Sequence, residues 1–348
     1  MIGRDKINIL HLPTPLEKLE NISNDLGINL YCKRDDLTNL ATGGNKLRKL
    51  EYFLKDAIDN GATMLITEGG AQTNHGRLTA AVATKYNLKC AIITSDEYPG
   101  EISANLILDG MMGCHVHFVK DMQAGRKAII DRYKSQGEKI YYIPMGGSNP
   151  LGMLGYYEAA VELDEQARNM NIPEATVYVT VGSIGTYLGL LLGLKSVNSN
   201  LKLIGINVLP YEGSGSLSDN VKEAVMDYFS EVKEFFKGNN TLSNISEIEI
   251  LPNDIDIKTD FIHGAYNNPV PEVREIMYYM ARKEGIIIDP CYTGKTFEGL
   301  IKMVKNKDIK PDSDVIFIHT GGYPGIYTKH HRVEIEKDLM EYMHIEEV

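Results

Sequence analysis

The sequence of 348 residues contains no tryptophan, no CxxC pair and no excess of basic residues. Its formal net charge is −11, which argues against a general nucleic-acid binder because such a protein needs a basic face. A small anionic ligand is still allowed, since it needs only a local site. The four cysteines lie in or beside apolar segments, so we expect buried thiols and neither a metal site nor a redox dithiol.

The first fifteen residues, MIGRDKINILHLPTP, lack the long apolar core and the cleavage site of a signal peptide, which predicts a cytoplasmic protein. One uncharged stretch, residues 176–194, is long enough to span a membrane. Its β-rich first half and its spaced glycines instead favour a strand, a tight turn and a buried helix. We therefore expect no membrane association.

Short apolar segments alternate with helical ones along the chain. In a first block, strands are predicted at 64–70, 89–95, 115–119 and 140–144, separated by helices at 76–86, 103–113 and about 121–135. In a second block, strands are predicted at 176–181, 201–208 and 314–320, with a helical run near 215–237. This alternation predicts an α/β protein with two open, twisted, mostly parallel sheets and flanking helices. The strongest break between the blocks is 145–152, where Gly, Ser, Asn and Pro cluster.

Four glycine-containing turns follow predicted strands or precede helices, at 43–49, 69–77, 181–186 and 319–325. Ligands of parallel sheets bind at the carboxyl ends of strands, and the N-terminus of a helix offers N–H groups to an anion. The turn at 181–186 is therefore either a phosphate site or a close strand–helix turn. It has neither GxGxxG spacing nor a GxxxxGK[ST] element, which argues against a nucleotide-binding dehydrogenase and a P-loop.

Three cations, Lys46, Arg48 and Lys49, stand at the start of a predicted helix, where positive charge is unfavourable. They are either a solvated first turn or a site where a neutral lysine amine attacks a phosphorylated aldehyde. In the second case, burial or nearby cations, including Lys33 and Arg34, would lower the pKa of that amine. The spacing alone leaves both interpretations open.

Other polar residues have equally plain alternatives. Thr73 and Asn74 could contact a ligand, or they could cap a helix, and a lone His75 is more often structural than catalytic. Tyr266 and Tyr292 could serve a site, although each by itself is typical of packing or of a buried hydrogen bond.

Eight segments, taken together and in order, indicate a protein family more specifically than any one of them does. In chain order they are PTPLEKL (13–19), YCKRDDLT (31–38), GGNKLRKLEY (43–52), GGAQTNHGR (69–77), PMGGSNPLGMLGY (144–156), GSIGT (182–186), DPCYTGK (289–295) and FIHTGG (317–322). This series resembles the tryptophan-synthase-β-like (fold type II) family of pyridoxal-phosphate enzymes. Within that family it resembles the branch that holds D-cysteine desulfhydrase and 1-aminocyclopropane-1-carboxylate deaminase.

The resemblance implies a pyridoxal 5'-phosphate cofactor in a cleft between two domains. We place the large, cofactor-binding domain at 1–44 and 161–348 and the small domain at 45–160. The implied cofactor-binding residues are Lys46 (Schiff base), Lys49 (phosphate), Asn74 (ring oxygen), Thr320 (ring nitrogen), and the phosphate loop Gly182, Ser183, Ile184, Gly185 and Thr186. Arg48 points elsewhere on the helix and is interpreted as a surface or ion-pair cation. A homodimer is implied by the family alone.

The resemblance also implies an activity on a small amino acid, with Lys46, Tyr292, Tyr266 and Thr73 as catalytic or substrate-contacting residues. The deaminase pattern has a glutamate directly after the tyrosine of its DPxY element, and this chain has Thr293 there. That favours α,β-elimination from D-cysteine over opening of a cyclopropane ring. The family usually has serine at position 73, so the extra methyl group of Thr73 could restrict the substrate.

Three alternatives stay open beside D-cysteine. The first is a related lyase or deaminase for another amino acid, such as 1-aminocyclopropane-1-carboxylate, L-cysteate or a diamino acid. The second is a protein that binds pyridoxal phosphate without catalysis, and the third is the nucleotide-binding dehydrogenase that the missing glycine fingerprint already disfavours.

Overall fold

A computed structural model describes residues 5–237, 243–340, 342–343 and 345–346. Its strands are β1 (Leu16–Lys18), β2 (Asn29–Arg34), β3 (Met64–Glu68), β4 (Lys89–Thr94), β5 (His115–Phe118), β6 (Ile140–Ile143), β7 (Thr176–Val181), β8 (Lys202–Asn207), β9 (Ile257–Lys258) and β10 (Asp314–His319). Its helices are α1 (Glu20–Leu26), α2 (Lys46–Asp59), α3 (Asn74–Lys85), α4 (Asn105–Met111), α5 (Met122–Ser135), α6 (Pro150–Asn169), α7 (Gly185–Ser196), α8 (Leu217–Phe236), α9 (Ser243–Glu247), α10 (Pro271–Glu284), α11 (Thr293–Lys305) and α12 (Lys329–Met340).

The strands form two separate sheets, as the alternating pattern predicts. The first sheet has the order β5-β4-β3-β6 and is parallel throughout. The second has the order β1-β2-β10-β7-β8-β9, in which only β1 runs antiparallel to its neighbour. The two mostly parallel sheets with flanking helices confirm the predicted α/β class.

The N-terminal part of the second sheet was not predicted. The polar segment 29–34 reads as a motif rather than as a strand, yet β2 pairs with β10 along its whole length. Tertiary pairing overrides the weak local pattern there, because Lys33 and Arg34 find acidic partners inside the fold.

The uncharged stretch 176–194 forms β7, a turn and α7, and residues 185–194 are all buried. α7 packs against α6, where Gly189 and Gly193 allow close contact. A Cβ on Gly193 would lie 2.4 Å from the Tyr157 carbonyl oxygen. Among the described helices, none is long and apolar enough to cross a membrane.

α6 runs without interruption through residue 160, where we placed a domain boundary, so the limits 1–44 with 161–348 and 45–160 stay a prediction. All four cysteines are buried and free, as expected.

Candidate active site

A cavity of about 400 Å³ lies at the carboxyl ends of β3, β7 and β10. All four predicted turns contribute to its wall, with residues such as Lys46, Asn74, Ser183 and Thr320. Tyr266 and Tyr292 line it as well. The structure therefore brings together residues that are more than 270 positions apart in the sequence.

Lys46 is the first residue of α2 and follows an unusual turn. The four residues Ala41 to Gly44 all have positive φ, from 43° to 133°. A Cβ on Gly43 would lie 2.1 Å from the Asp36 carbonyl oxygen, so this position requires glycine. The side chain of Lys46 opens onto the cavity. Burial among protein atoms lowers the pKa of its amine to about 8.

The other cations near Lys46 do not act on it as predicted. Arg48 is 2 % exposed, and its guanidinium pairs with the Asp35 and Glu162 carboxylates. Lys33 pairs with the same Glu162, and Arg34 pairs with Asp36. None of the three cations lines the cavity. Arg48 is therefore the ion-pair cation of our prediction and not a surface one. Burial rather than a cationic field lowers the pKa of Lys46.

Lys49 lies behind the cavity wall and is linked to it by hydrogen bonds. Its Nζ donates to the Gly146 carbonyl oxygen (3.1 Å) and to Ser148 Oγ (3.3 Å). Ser148 Oγ in turn donates to Ser183 Oγ (2.8 Å), which leaves the Ser183 proton for an acceptor in the cavity. A Cβ on Gly146 would lie 2.4 Å from Ser183 Oγ and 3.7 Å from Lys46 Nζ, so all three groups share one corner of the site.

The turn after β7 begins α7 and has the geometry of an anion site. Ile184 takes a positive φ of 61°, and Gly182, Ser183, Ile184 and Thr186 all line the cavity. Asn45 Nδ2 donates to Thr186 Oγ1 (3.1 Å), which ties this turn to the start of α2. Backbone N–H groups at a helix N-terminus attract negative charge. Gly185 lies just behind, where a Cβ would touch Ser148 Oγ and Lys49 Nζ.

Thr73 and Asn74 both line the cavity, and Thr73 is also the N-cap of α3, whereas Asn74 is the first residue of that helix. Thr73 Oγ1 accepts the Gly76 N–H (3.2 Å). The Thr73 methyl group lies only 2.4 Å from where a Cβ on Gly76 would be, so glycine makes room for it. Asn74 Oδ1 accepts from Asn105 Nδ2 (3.0 Å), which leaves the Asn74 amide N–H groups free to donate.

The two tyrosines stand together on another wall. Their rings meet edge to face with centroids 5.5 Å apart, and their hydroxyls are hydrogen-bonded to each other. Burial raises the pKa of Tyr292, so its hydroxyl keeps its proton. Thr293 does not line the cavity; its hydroxyl donates to Asp289 Oδ1 (2.6 Å) instead. Among the described residues, Asp96 supplies the only carboxylate in the cavity wall.

Comparisons with known proteins agree with this geometry. A family model described as pyridoxal-phosphate dependent enzyme matches residues 7–321. The chain belongs to this family. It is 34 % identical over 336 residues to a D-cysteine desulfhydrase of Serratia proteamaculans, covering 94 % of this chain and 97 % of the relative. It is 36 % identical over 327 residues to a protein of Pyrococcus abyssi provisionally named a 1-aminocyclopropane-1-carboxylate deaminase, covering 92 % and 93 %.

A solved structure supports the same assignment. The crystal structure of a 1-aminocyclopropane-1-carboxylate deaminase homologue superimposes with a TM-score of 0.79 at 31 % identity, covering 97 % of this chain and 96 % of that one. The predicted family, fold and cofactor are thereby confirmed.

The cavity of this pyridoxal-phosphate enzyme fits its cofactor on chemical grounds. Lys46 offers an amine of lowered pKa to the aldehyde, and the α7 N-terminus with Ser183 and Thr186 offers donors to the phosphate. One buried hydroxyl near this corner, that of Tyr228, has no hydrogen-bond partner among the described residues and lies 3.2 Å from where a Cβ on Gly185 would be. An unpaired buried donor beside an anion cradle is what a phosphate site requires.

The sequence pattern missed several residues that shape this enzyme's site. Ser148 lies in the 145–152 segment, which we interpreted as a break between blocks and as part of a family motif. We assigned no site residue there, although its serine and glycines could have suggested a binding turn. Tyr228 of α8 and Asp96 after β4 gave no local signal, because only the folded chain brings them near. His75 lines the cavity, and neither of its ring nitrogens has a hydrogen-bond partner in the part of the chain that the structure describes. Burial keeps the pKa of His75 well below the usual range.

Proposed function

We propose that this enzyme is a lyase that catalyses α,β-elimination from a small amino acid with a leaving group on Cβ. D-cysteine is the favoured substrate and would give pyruvate, ammonia and sulfide with uptake of one water. The observation that carries the proposal is the Lys46 amine, whose pKa is lowered to about 8, in a cavity that also presents the paired hydroxyls of Tyr266 and Tyr292.

Two residues have protonation states suited to opposite roles. When bound, the cofactor withdraws electrons from the substrate Cα and so makes its proton acidic. A free Lys46 amine with a pKa near 8 is partly neutral at physiological pH and can accept that proton. Tyr292, whose pKa is raised by burial, keeps its proton and can donate a hydrogen bond to the departing thiolate, which takes its own proton from solvent. We assign Lys46 as the base and Tyr292 as the donor.

The polarity of the cavity wall supports elimination rather than ring opening. Thr320 presents a hydroxyl, and the position after Tyr292 is a threonine whose hydroxyl is bonded to Asp289. A leaving group on Cβ accepts the electron pair from Cα, so such a reaction depends less on a strongly protonated cofactor ring. The relative at 34 % identity is named for this activity on D-cysteine.

The decisive experiment is a substrate panel on the purified holoenzyme. We expect pyruvate and sulfide in equal amounts from D-cysteine and much less from L-cysteine. Sulfide from L-cysteine alone would overturn the favoured substrate, and 2-oxobutyrate from 1-aminocyclopropane-1-carboxylate would instead assign the activity named for the second relative. A yellow protein with no turnover of any amino acid, L-cysteate and diamino acids included, would indicate a silent cofactor-binding protein.

Lys46→Ala tests the assignment of the lysine. Borohydride should fix the cofactor onto the wild-type protein and not onto the variant, and turnover should fall by roughly 10³-fold or more because the base is lost. Covalent labelling that survives in Lys46→Ala would show that another lysine holds the cofactor.

Thr73→Ser tests whether the departure from the family's serine sets the substrate. Because the Thr73 methyl group is accommodated by Gly76, we expect an unchanged order of substrates and turnover within about threefold. A new order of substrates would show that this methyl group limits the cavity.

The assembly and location of the enzyme are further proposals. We propose a homodimer, as the family resemblance implies, which light scattering of the purified protein would test. The cytoplasmic location and the domain limits remain predictions, and limited proteolysis near residues 44 and 160 would test the limits.

A further inference from the structure

Lys295 is a fully buried lysine outside the cavity wall. It lies in the first turn of α11 and is 0 % exposed. Its Nζ donates to three backbone carbonyl oxygens, those of Ile262 (2.8 Å), Ala265 (2.9 Å) and Tyr266 (3.0 Å). An ammonium group has three N–H donors and no acceptor, so these three carbonyls use every donor that Lys295 has.

The three carbonyls differ in burial: Ile262 is a buried residue, Tyr266 is half-buried and Ala265 is exposed. The Tyr266 carbonyl oxygen also accepts from Cys291 Sγ (3.3 Å). Residues 261–270 contain neither helix nor strand, and His263 and Gly264 both have positive φ. Buried carbonyl groups need a partner. Their convergence on one point resembles the carbonyl cages that hold small monovalent cations. Here a side chain supplies the positive charge.

The same segment carries Tyr266 to the cavity. Tyr266 hydrogen-bonds Tyr292, and Tyr292 stands three residues before Lys295 at the start of α11. The N-terminal end of α11 therefore contacts residues 261–270 at two points, the Tyr266 hydroxyl and the Tyr266 carbonyl oxygen. A third contact lies one turn further on, where His263 Nε2 and Glu298 Oε2 are 2.5 Å apart.

We propose that Lys295 is a positioning residue, a tethered cation that gathers three carbonyls of residues 262–266 and so holds Tyr266 against Tyr292. Its ligand class is the backbone carbonyl, and a free ammonium or potassium ion could replace its charge. The importance of this positioning of Tyr266 for catalysis rests on the proposed function. The hydrogen bonds of Lys295 to the three carbonyls can be tested without any substrate.

Amide hydrogen exchange of the holoenzyme, read at residues 261–268, is the test. In Lys295→Met, which keeps most of the volume but not the charge, we expect exchange to rise about tenfold or more, because three charge-assisted hydrogen bonds are lost. In Lys295→Ala, the cavity left by the side chain should admit ammonium. Ammonium chloride should then restore protection, whereas tetramethylammonium chloride at equal ionic strength should not, because its cation is too large and donates no hydrogen bond.

Lys305→Met is the matched control, because Lys305 is an exposed lysine on the same helix. It should leave exchange at 261–268 unchanged. Three results would overturn the proposal: unchanged exchange at 261–268 in Lys295→Met, an equal rise throughout α11, or no effect of ammonium on a folded Lys295→Ala. If D-cysteine proves not to be a substrate, these exchange results still decide the role of Lys295.

Discussion

Two buried arginines lie on either side of the turn that presents Lys46, and each has a buried carboxylate nearby. Arg48 binds Asp35 through two hydrogen bonds, Nε to Oδ2 and Nη2 to Oδ1, both of 2.9 Å. Arg77 makes no hydrogen bond to Asp109. It donates instead to Thr42 Oγ1 (2.6 Å) and to the Gly43 carbonyl oxygen (2.9 Å), in the turn before Lys46.

The two carboxylates respond in opposite ways to the same degree of burial. Burial alone would raise the pKa of Asp35, but the charge and hydrogen bonds of Arg48 lower it to about 2. Burial raises the pKa of Asp109 to about 7, and the charge of Arg77 only partly opposes this. Neither Asp109 oxygen has a hydrogen-bond partner among the described residues. The comparison shows that a guanidinium both close and hydrogen-bonded to a buried carboxylate keeps it ionised, whereas a guanidinium that makes no hydrogen bond to it only partly opposes burial.

Of the substitutions that test this comparison, the removal of Arg48 should have the largest effect on the free energy of unfolding. Arg48→Met leaves Asp35 and Glu162 buried without their main partner, so we expect the free energy of unfolding to fall by about 3–5 kcal/mol. Urea denaturation at pH 7 measures this. Arg34→Met, which removes a more exposed pair, should cost no more than about 1 kcal/mol. Equal losses in the two variants would contradict the importance of burial.

Asp109→Asn should have the next largest effect, with the opposite sign. A carboxyl whose pKa is raised from 3.8 to about 7 by folding gives stability at low pH that is lost as the pH rises through about 7. Asparagine does not ionise, so the variant keeps its stability as the pH rises. It should therefore be more stable than the wild type at pH 8, by at most roughly 4 kcal/mol. The gain should be smaller at pH 5.

Asp35→Asn completes the contrast under the same conditions. It should destabilise the protein at both pH 5 and pH 8, since the ionised form of Asp35 is the one that Arg48 stabilises. A gain in stability at pH 8 in both asparagine variants would show that the two carboxylates do not differ as described.

Arg77→Lys should have the smallest effect. A lysine cannot reach two separate acceptors in the planar arrangement of a guanidinium, so one of the two hydrogen bonds to the turn is lost. We expect a loss of about 1–2 kcal/mol in stability and faster amide exchange at residues 41–45. A change confined to stability, with unaltered exchange in this turn, would show that Arg77 does not hold it.

The fold was largely predictable because apolar alternation directly reports buried strands and helices. Strands β3 to β8 and β10 each have a short apolar core, whereas β2 ends in Lys33 and Arg34, which the fold pairs with Glu162 and Asp36 while the strand pairs with β10. The charge pattern near Lys46 was ambiguous because the acidic partners of its cations lie elsewhere in the sequence. The sequence shows that Arg48 is a cation, but only the folded chain shows that Asp35 and Glu162 meet it.

The residues of the site could be predicted where they belong to recognisable turns, but not where only the folded chain brings them near the cavity. Lys46, Asn74, Ser183, Tyr292 and Thr320 all belong to turns that follow strands or begin helices, and all of them line the cavity. Tyr228 approaches the same corner from α8, and Ser148 approaches it from the turn before α6. No local pattern distinguishes a buried tyrosine that only packs from one that binds a ligand.

The hydrogen-bonded series from Lys49 through Ser148 to Ser183 has a consequence for how the enzyme takes up its cofactor. Burial and the charge of Lys46 hold the pKa of Lys49 well below its usual range, and an anion placed at the Ser183 turn would raise that pKa again. At a pH between the pKa of Lys49 in the empty site and its pKa beside the anion, binding of the cofactor is coupled to the uptake of a proton from solvent. Alkaline conditions should therefore favour loss of the cofactor. Because this amine is buried, added salt should weaken the attraction far less than it weakens a surface ion pair.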